Sequence, residues 1–373
     1  MKEKTMFIKG MDVSSLKEVE ACGGRFYDNG AEGDLFEILK RYGTNSIRLR
    51  VWNDPYSEDG LPYGAGGNNV EVFLELAARA NRAGLGVLLN LHYSDFWTDP
   101  GKQFVPKEWR NKGVEELEQA VYEYTIEVMK KIRTRGIRLD MVQVGNEVTN
   151  GLLWPYGKVP EYDNIARLIG AGIRGVRAID TELPIMIHLD CGCDQDTCRT
   201  WFDEFTKREN DFQVIGLSYY PFWQGTLEAL SDNMRFLAER YDKDIVVAEV
   251  SMGHTMEDYA DYEKLAPEER KGMATKPHLA EKVPFSMTPE GQSAFMKAFL
   301  EKIKSVPDGR GKGFYYWEPG WLPRPGSGWA TMESLAYIQD KGPCGNEWAN
   351  QALFDYDGNS LPALKVIRDW KAE

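Results

Sequence analysis

Eight short apolar runs, each followed by a segment of helical spacing, constrain this 373-residue chain more than any other feature. The runs are predicted as strands at residues 6–12, 46–52, 86–91, 139–148, 183–189, 212–218, 245–251 and 313–318. Helical spacing is predicted over 31–42, 70–83, 114–135, 163–179, 197–208, 227–241 and 361–370. One more helix opens at Thr288, a natural N-cap, with Pro289 in its first turn. Alternation in this many units argues for a parallel sheet closed on itself, a (β/α)8 TIM barrel of the α/β class, and against a sandwich or bundle. A doubly wound open sheet is the alternative, but no Gly-x-Gly-x-x-Gly follows a strand. No linker or composition break divides residues 1–373, which read as a single domain with extended loops after strands 7 and 8.

The predicted strands share one habit: apolar through the middle, polar or aromatic just past the carboxyl end. Asp12, Arg48, His92, Asp95, Asn146, Glu147, Asp190, Tyr219, Glu249 and Trp317 all fall there. In a barrel those ends converge on one mouth, where a site would form. Two of the ten stand out. Met141-Val-Gln-Val144 runs through Gly145 into Asn146 and Glu147, and Ile245-Val-Val-Ala248 runs into Glu249. Hydrolysis of a glycosidic bond needs a proton for the leaving oxygen and a nucleophile or base at the anomeric carbon, so two strand-end carboxyls are its minimum equipment. A gap of about 5–5.5 Å between them gives retention of configuration, and about 6.5–9.5 Å gives inversion. One carboxyl must hold a proton near neutrality while the other is ionised. Strand alternation places Arg48 and Arg50 on one face. Arg48 with a tyrosine hydroxyl would hold an ionised Glu249, leaving Glu147 free to cycle its proton.

Composition narrows the partners. Lys and Arg number 45 against 58 Asp and Glu, a formal charge of −13, and no basic block relieves it. Nucleic acid and anionic membranes are therefore not expected partners, and a neutral substrate fits better. Eleven Trp and 18 Tyr exceed ordinary core needs, and flat rings stack on apolar sugar faces. Trp97, Trp223, Trp317, Trp321 and Trp329 are core or rim candidates, and the Gly/Pro-rich setting of Glu318-Pro-Gly-Trp321 favours exposure for the last stretch. The five cysteines, three of them at Cys191, Cys193 and Cys198, match no zinc spacing and read as reduced and structural. No signal-peptide core precedes the first strand and no run reaches membrane-span length. As given the chain reads as a cytoplasmic monomer, or as secreted if a leader has been removed.

The motifs as a set resemble the endo-β-1,4-galactanases of glycoside hydrolase family 53. The matching stretches are Gly10-Met-Asp-Val-Ser14, Ser46-Ile-Arg-Leu-Arg-Val-Trp52, Leu91-His-Tyr-Ser-Asp-Phe-Trp97, Val144-Gly-Asn-Glu147 and Gly151-Leu-Leu-Trp-Pro155. Ile187-His-Leu-Asp190, Gly216-Leu-Ser-Tyr-Tyr-Pro-Phe222, Val247-Ala-Glu-Val250, Tyr315-Tyr-Trp-Glu-Pro319 and Asn350-Gln-Ala-Leu-Phe354 complete them. The resemblance implies a retaining double displacement on β-1,4-galactan, arabinogalactan type I or derived galacto-oligosaccharides, with Glu147 as acid/base and Glu249 as nucleophile. It implies that Asn146 holds the sugar 2-hydroxyl, that Arg48 and one of Tyr219 or Tyr220 orient the nucleophile, and that Trp317 floors that subsite. His92, Asp95 and Trp97 are implied to line subsites or to stand behind the residues that do, and Asp12 and Asp190, from the strand-end set, join them as candidate substrate-binding residues. No cofactor is required. Some bacterial relatives carry calcium in the loop after strand 7, on alternating Asp, His and Asn. Residues 251–287 here hold Asp258, Asp261 and Glu263 without that alternation, so no metal ligand is assigned. Another β-glycanase of similar barrel, or a non-catalytic sugar-binding barrel, is the alternative.

Overall fold

A computed structural model of the chain describes residues 6–259, 264, 266 and 276–372. Asp261 and Glu263, of the acidic loop read from sequence, lie outside the described residues. Eight parallel strands form a closed barrel: β1 (Ile8–Asp12), β2 (Ser46–Val51), β3 (Gly86–Leu91), β4 (Met141–Val144), β5 (Ile185–Leu189), β6 (Val214–Tyr219), β7 (Asp244–Val250) and β8 (Gly311–Trp317). Each pairs with its neighbours in chain order, and β8 pairs with β1 to close the ring.

The sequence reading of (β/α)8 holds. Between and after the strands come α1 (Leu35–Arg41), α2 (Val70–Arg82), α3 (Val114–Thr134), α4 (Tyr162–Arg177), α5 (Gln195–Thr206), α6 (Leu227–Tyr241), α7 (Pro289–Lys304) and α8 (Ala363–Asp369). Thr288 caps α7 as its sequence suggests, accepting from the Gly291 amide, with Pro289 in the first turn. The helix read over 31–42 is shorter than expected. Ala31–Gly33 pairs instead with Phe26–Asp28 as a hairpin, and the Asp34 side chain caps α1 at the amides of Phe36 and Glu37. Asp34 competes for those amides in an extended conformation, which ends the helix there.

Strand alternation divides the apolar residues into two separate cores. One face of the strands, with Ile47, Leu49, Val87, Leu89, Val142, Ile187, Ile215, Val247 and Phe314, packs outward with the helices. The other face puts Leu88, Met141, Met186, Val214, Val246, Ala248 and Tyr315 into a second cluster inside the barrel. The interior is thus plugged by side chains at its lower end, as in barrels generally. Tyr315 lies across Gly10, where an added Cβ would stand 2.2 Å from the ring, and its hydroxyl meets Ser46 Oγ at 2.9 Å. Further along β2 to β5 the interior turns polar, with Arg48, Asn90, Gln143 and His188 fully buried. That polar layer forms the base of the site. No helix among the described residues is long and apolar enough to cross a membrane.

Candidate active site

A cavity of about 700 Å³ opens at the carboxyl ends of the strands. Of the residues read from sequence, Asp12, Arg48, His92, Trp97, Asn146, Glu147, Asp190, Tyr220, Glu249 and Trp317 line it. Asp95 and Tyr219 do not. Asp95 is turned into the loop wall, accepting from the amides of Lys107 at 2.7 Å and Asp54 at 3.1 Å. Tyr219 follows Ser218 on the strand and so faces the helices. Its ring packs on Phe295 and Phe299, and its hydroxyl donates to Gly225 O at 3.2 Å. Trp321, read as exposed, is instead buried, with Nε1 donating to Asn346 Oδ1 at 2.8 Å. Its neighbour Glu318 is also internal, paired with Arg50 at 2.6 Å.

Two local departures from strand geometry aim the glutamates. Beyond β4, Gly145 has φ +78°, and a Cβ there would sit 2.8 Å from Val148 Cγ1. Glu147 itself takes φ 50°, ψ 52°, a left-handed conformation that costs a non-glycine residue about 1–3 kcal/mol and is typical of functional sites. This turn lets the adjacent Asn146 and Glu147 both face the mouth, where simple alternation would separate them. In β7 the register against β6 passes from Leu217–Val247 to Ser218–Glu249, so Ala248 is an extra residue in a bulge. A bulge re-aims the side chain beside it, here Glu249.

The two carboxyls meet over the polar layer. A carboxylate oxygen of Glu147, one of Glu249 and a ring nitrogen of His188 lie within 4.8 Å of one another. Their surroundings differ. Glu249 Oε1 is 2.9 Å from Arg48 Nη2, and Tyr220 donates to its Oε2 at 2.7 Å. Arg48 is anchored in turn by Asp12 at 2.7 Å and by Asn146 Oδ1 at 2.8 Å. Among the described residues Glu147 forms no ion pair; Ser218 Oγ donates to its Oε1 at 2.6 Å. Burial, and then the charge of Glu249, push the Glu147 carboxyl well above the usual range. Burial raises Glu249 as well, but the Arg48 guanidinium and the Tyr220 hydroxyl oppose that rise. Burial beside Arg48 holds both His92 and His188 well below their ordinary range, so both rings are neutral.

Aromatic rings wall the cavity. Trp317 stands 5.2 Å from Trp348, 6.1 Å from Trp97 and 6.5 Å from Tyr220, centroid to centroid. Arg50 lies 4.1 Å from the Trp97 ring and fixes it from behind. At the rim, Trp223 is 45% exposed and lies 6.1 Å from Trp348.

Comparison with known proteins decides the family. The profile of glycosyl hydrolase family 53 matches residues 8–367. The chain belongs to glycosyl hydrolase family 53. An endo-beta-1,4-galactanase of Bacillus subtilis (strain 168) is 35% identical to this hydrolase over 381 residues, covering 97% of the chain and 85% of that protein. An uncharacterised protein of Niallia circulans is 39% identical over 371 residues, covering 97% and 93%. Among solved structures, the family 53 catalytic domain of Ignisphaera aggregans superimposes with a TM-score of 0.90 at 38% identity, covering 98% of this chain and 97% of that one.

Sequence reasoning passes over Ser218, Gln143 and Trp348 in this hydrolase. Ser218 and Gln143 had a usable signal: polar residues in apolar strands, in phase with interior positions, must find buried partners. Trp348 lies in the irregular chain after β8, where no periodicity marks a direction. The raised Glu147 carboxyl also bears on stability. Above the ordinary value of 4.5 the unfolded chain ionises while the buried group resists, so stability falls as pH rises through the folded value. Glu147→Gln is therefore expected to melt above the parent at neutral pH, with the gap closing as pH drops below 4.5. Thermal melts of both proteins across pH check this.

Proposed function

We propose that this hydrolase cleaves internal β-1,4-galactosidic bonds of galactan or derived galacto-oligosaccharides with retention, using Glu147 as acid/base and Glu249 as nucleophile. The observation that carries the mechanism is the pairing of two close carboxyls in opposite settings. Oxygens within 4.8 Å suit the short-gap class, in which no water fits between carboxyl and sugar. The galactan assignment is supported by the family and by the name of the Bacillus subtilis relative.

In the first half of the reaction the Glu249 carboxylate attacks the anomeric carbon. The bond to the leaving oxygen breaks as Glu147 delivers its proton there, and the leaving chain departs as an alcohol. In the second half Glu147, now ionised, takes a proton from water. The water oxygen attacks the anomeric carbon and displaces Glu249. Glu147 needs a high proton affinity at the outset, which burial beside Glu249 supplies. Glu249 needs to remain ionised, which Arg48 and Tyr220 favour. Asn146 uses one N–H on Thr98 O at 3.0 Å, leaving its second for the sugar 2-hydroxyl. Trp317 offers its face below that ring.

Tyr220→Phe removes one charge-assisted hydrogen bond from the nucleophile. Such bonds contribute about 1.5–3 kcal/mol, so kcat is expected to fall by about 10- to 100-fold with KM little changed; steady-state kinetics on galactotetraose checks both. Substrate class is tested by product analysis on unbranched β-1,4-galactan, galactotetraose, mannan and soluble cellulose. Release of galactobiose to galactotetraose from the galactan and cleavage of galactotetraose are expected, with mannan and cellulose untouched. Silence on both galactan substrates, or preference for mannan or cellulose, overturns the assignment.

A further inference from the structure

Glu147 is gripped at one oxygen by a chain of buried groups that the scheme above leaves unused. It begins at Arg48, whose Nε donates to Gln143 Oε1 at 3.1 Å. That contact fixes the Gln143 amide with its NH₂ group turned away from Arg48, and Nε2 lies 3.0 Å from Gly145 O, which takes one N–H, and 3.1 Å from both Asn146 Oδ1 and His188 Nδ1. A donor opposite Nδ1 makes that nitrogen the acceptor, so the neutral ring carries its proton on Nε2. Asn146 Oδ1 is 3.2 Å from the same Nδ1 and 3.1 Å from Gln143 Nε2, but its two lone pairs already accept from Arg48 Nη2 and Asn90 Nδ2, so the second Gln143 N–H goes to Nδ1 and the oxygen does not require the ring proton. His188 Nε2 then donates to Ser218 Oγ at 2.9 Å. With its acceptor side occupied, the Ser218 hydroxyl directs its single proton to Glu147 Oε1 at 2.6 Å. Gln143, His188 and Ser218 are all wholly buried, so water does not compete for these contacts.

We propose that the Gln143–His188–Ser218 chain makes Glu147 Oε1 a standing acceptor and thereby confines the transferable proton to Oε2. Ser218 and His188 are then positioning residues for the acid/base step, an inference that rests on the role given to Glu147 above. Placing the proton on Oε1 instead would require Ser218 to reverse and His188 to move its proton to Nδ1. There it would confront the Gln143 N–H. The chain therefore has one polarity, set at its far end by an arginine that is always charged.

The test compares leaving groups, because a misplaced proton matters only where the leaving oxygen needs one. The value of kcat/KM, which reports the first half-reaction, is measured for phenyl and 2,4-dinitrophenyl β-1,4-galactobioside with the full-length parent, Ser218→Ala, Ser218→Thr and His188→Gln. Ser218→Ala is expected to lose about 10- to 100-fold on the phenyl glycoside, a fraction of what general acid catalysis supplies, with the dinitrophenyl glycoside nearly unchanged. Ser218→Thr, which keeps the hydroxyl, restores the phenyl rate. His188→Gln, whose amide can present either its nitrogen or its oxygen to Ser218 and so no longer fixes the polarity of the chain, shows the same selective loss to a smaller degree. Should Ser218→Ala fail to fold, His188→Gln alone decides. Equal loss on both glycosides, or none on either, overturns the proposal. A parent that cleaves neither glycoside nor galactan refutes the functional reading itself, which is a separate failure from that of the chain.

Discussion

Glu249→Ala is expected to reduce turnover of β-1,4-galactan by about 10⁴- to 10⁶-fold, the range seen when a covalent nucleophile is removed, while galacto-oligosaccharide binding persists. The side chain projects into the cavity from a bulged strand, and its two oxygens are held by Arg48 at 2.9 Å and Tyr220 at 2.7 Å. Truncation leaves Arg48 paired with Asp12 and Asn146, so the base of the site stays organised and the sugar rings keep the tryptophan walls. Azide should enter the vacated space and attack from the same side as the lost carboxylate. With 2,4-dinitrophenyl β-1,4-galactobioside the product would be an α-galactosyl azide. Calorimetric binding of galactotetraose to the variant, with stopped assays on galactan, checks both halves. Near-normal turnover would show that another group is the nucleophile.

Glu147→Ala carries the second large effect, and its pattern differs. Loss on galactan is expected at about 10²- to 10⁴-fold, the usual worth of a general acid and base. With the dinitrophenyl glycoside the leaving group departs unaided, so the first half-reaction survives and the glycosyl-enzyme accumulates because no base activates water. A burst of dinitrophenolate followed by slow turnover is the expected trace. Azide, which needs no base, would speed the second phase and give a β-galactosyl azide. The opposite anomers expected from the two alanine variants separate their roles without reference to any relative. An α-azide from Glu147→Ala would interchange the assignments.

These two residues are legible in the sequence for a physical reason. A lone carboxyl at a strand end can be purely structural, as Glu318 is beside Arg50, but two glutamates in matching apolar contexts point further, and closure of the barrel brings all strand ends to one mouth. Arg48 is legible by alternation, since it shares its strand face with Arg50 and both lie inside. The failures come where the chain leaves that periodicity, or where a residue at a strand end still obeys it and faces away. Asp95, in the turn after β3, satisfies loop amides. Tyr219, still within β6, obeys alternation and faces the helices, whereas Tyr220, just past the strand, turns back to Glu249. Trp321 sits in a Gly/Pro-rich stretch of the kind that suggests exposure, but packs inward against Trp317 at 5.6 Å. The turn at Glu147 and the bulge at Ala248 have no compositional signature beyond Gly145, yet they decide where the two carboxyls point. Ser218 is visible only when its interior phase and its polarity are considered together.

The measurement that tests the central claim most directly is proton NMR of unbranched β-1,4-galactan during the first minutes of hydrolysis. The account predicts that the β-anomer of newly released reducing ends appears first and that the α-anomer grows in later by mutarotation. Initial appearance of the α-anomer would contradict the double displacement and place a water between Glu249 and the sugar.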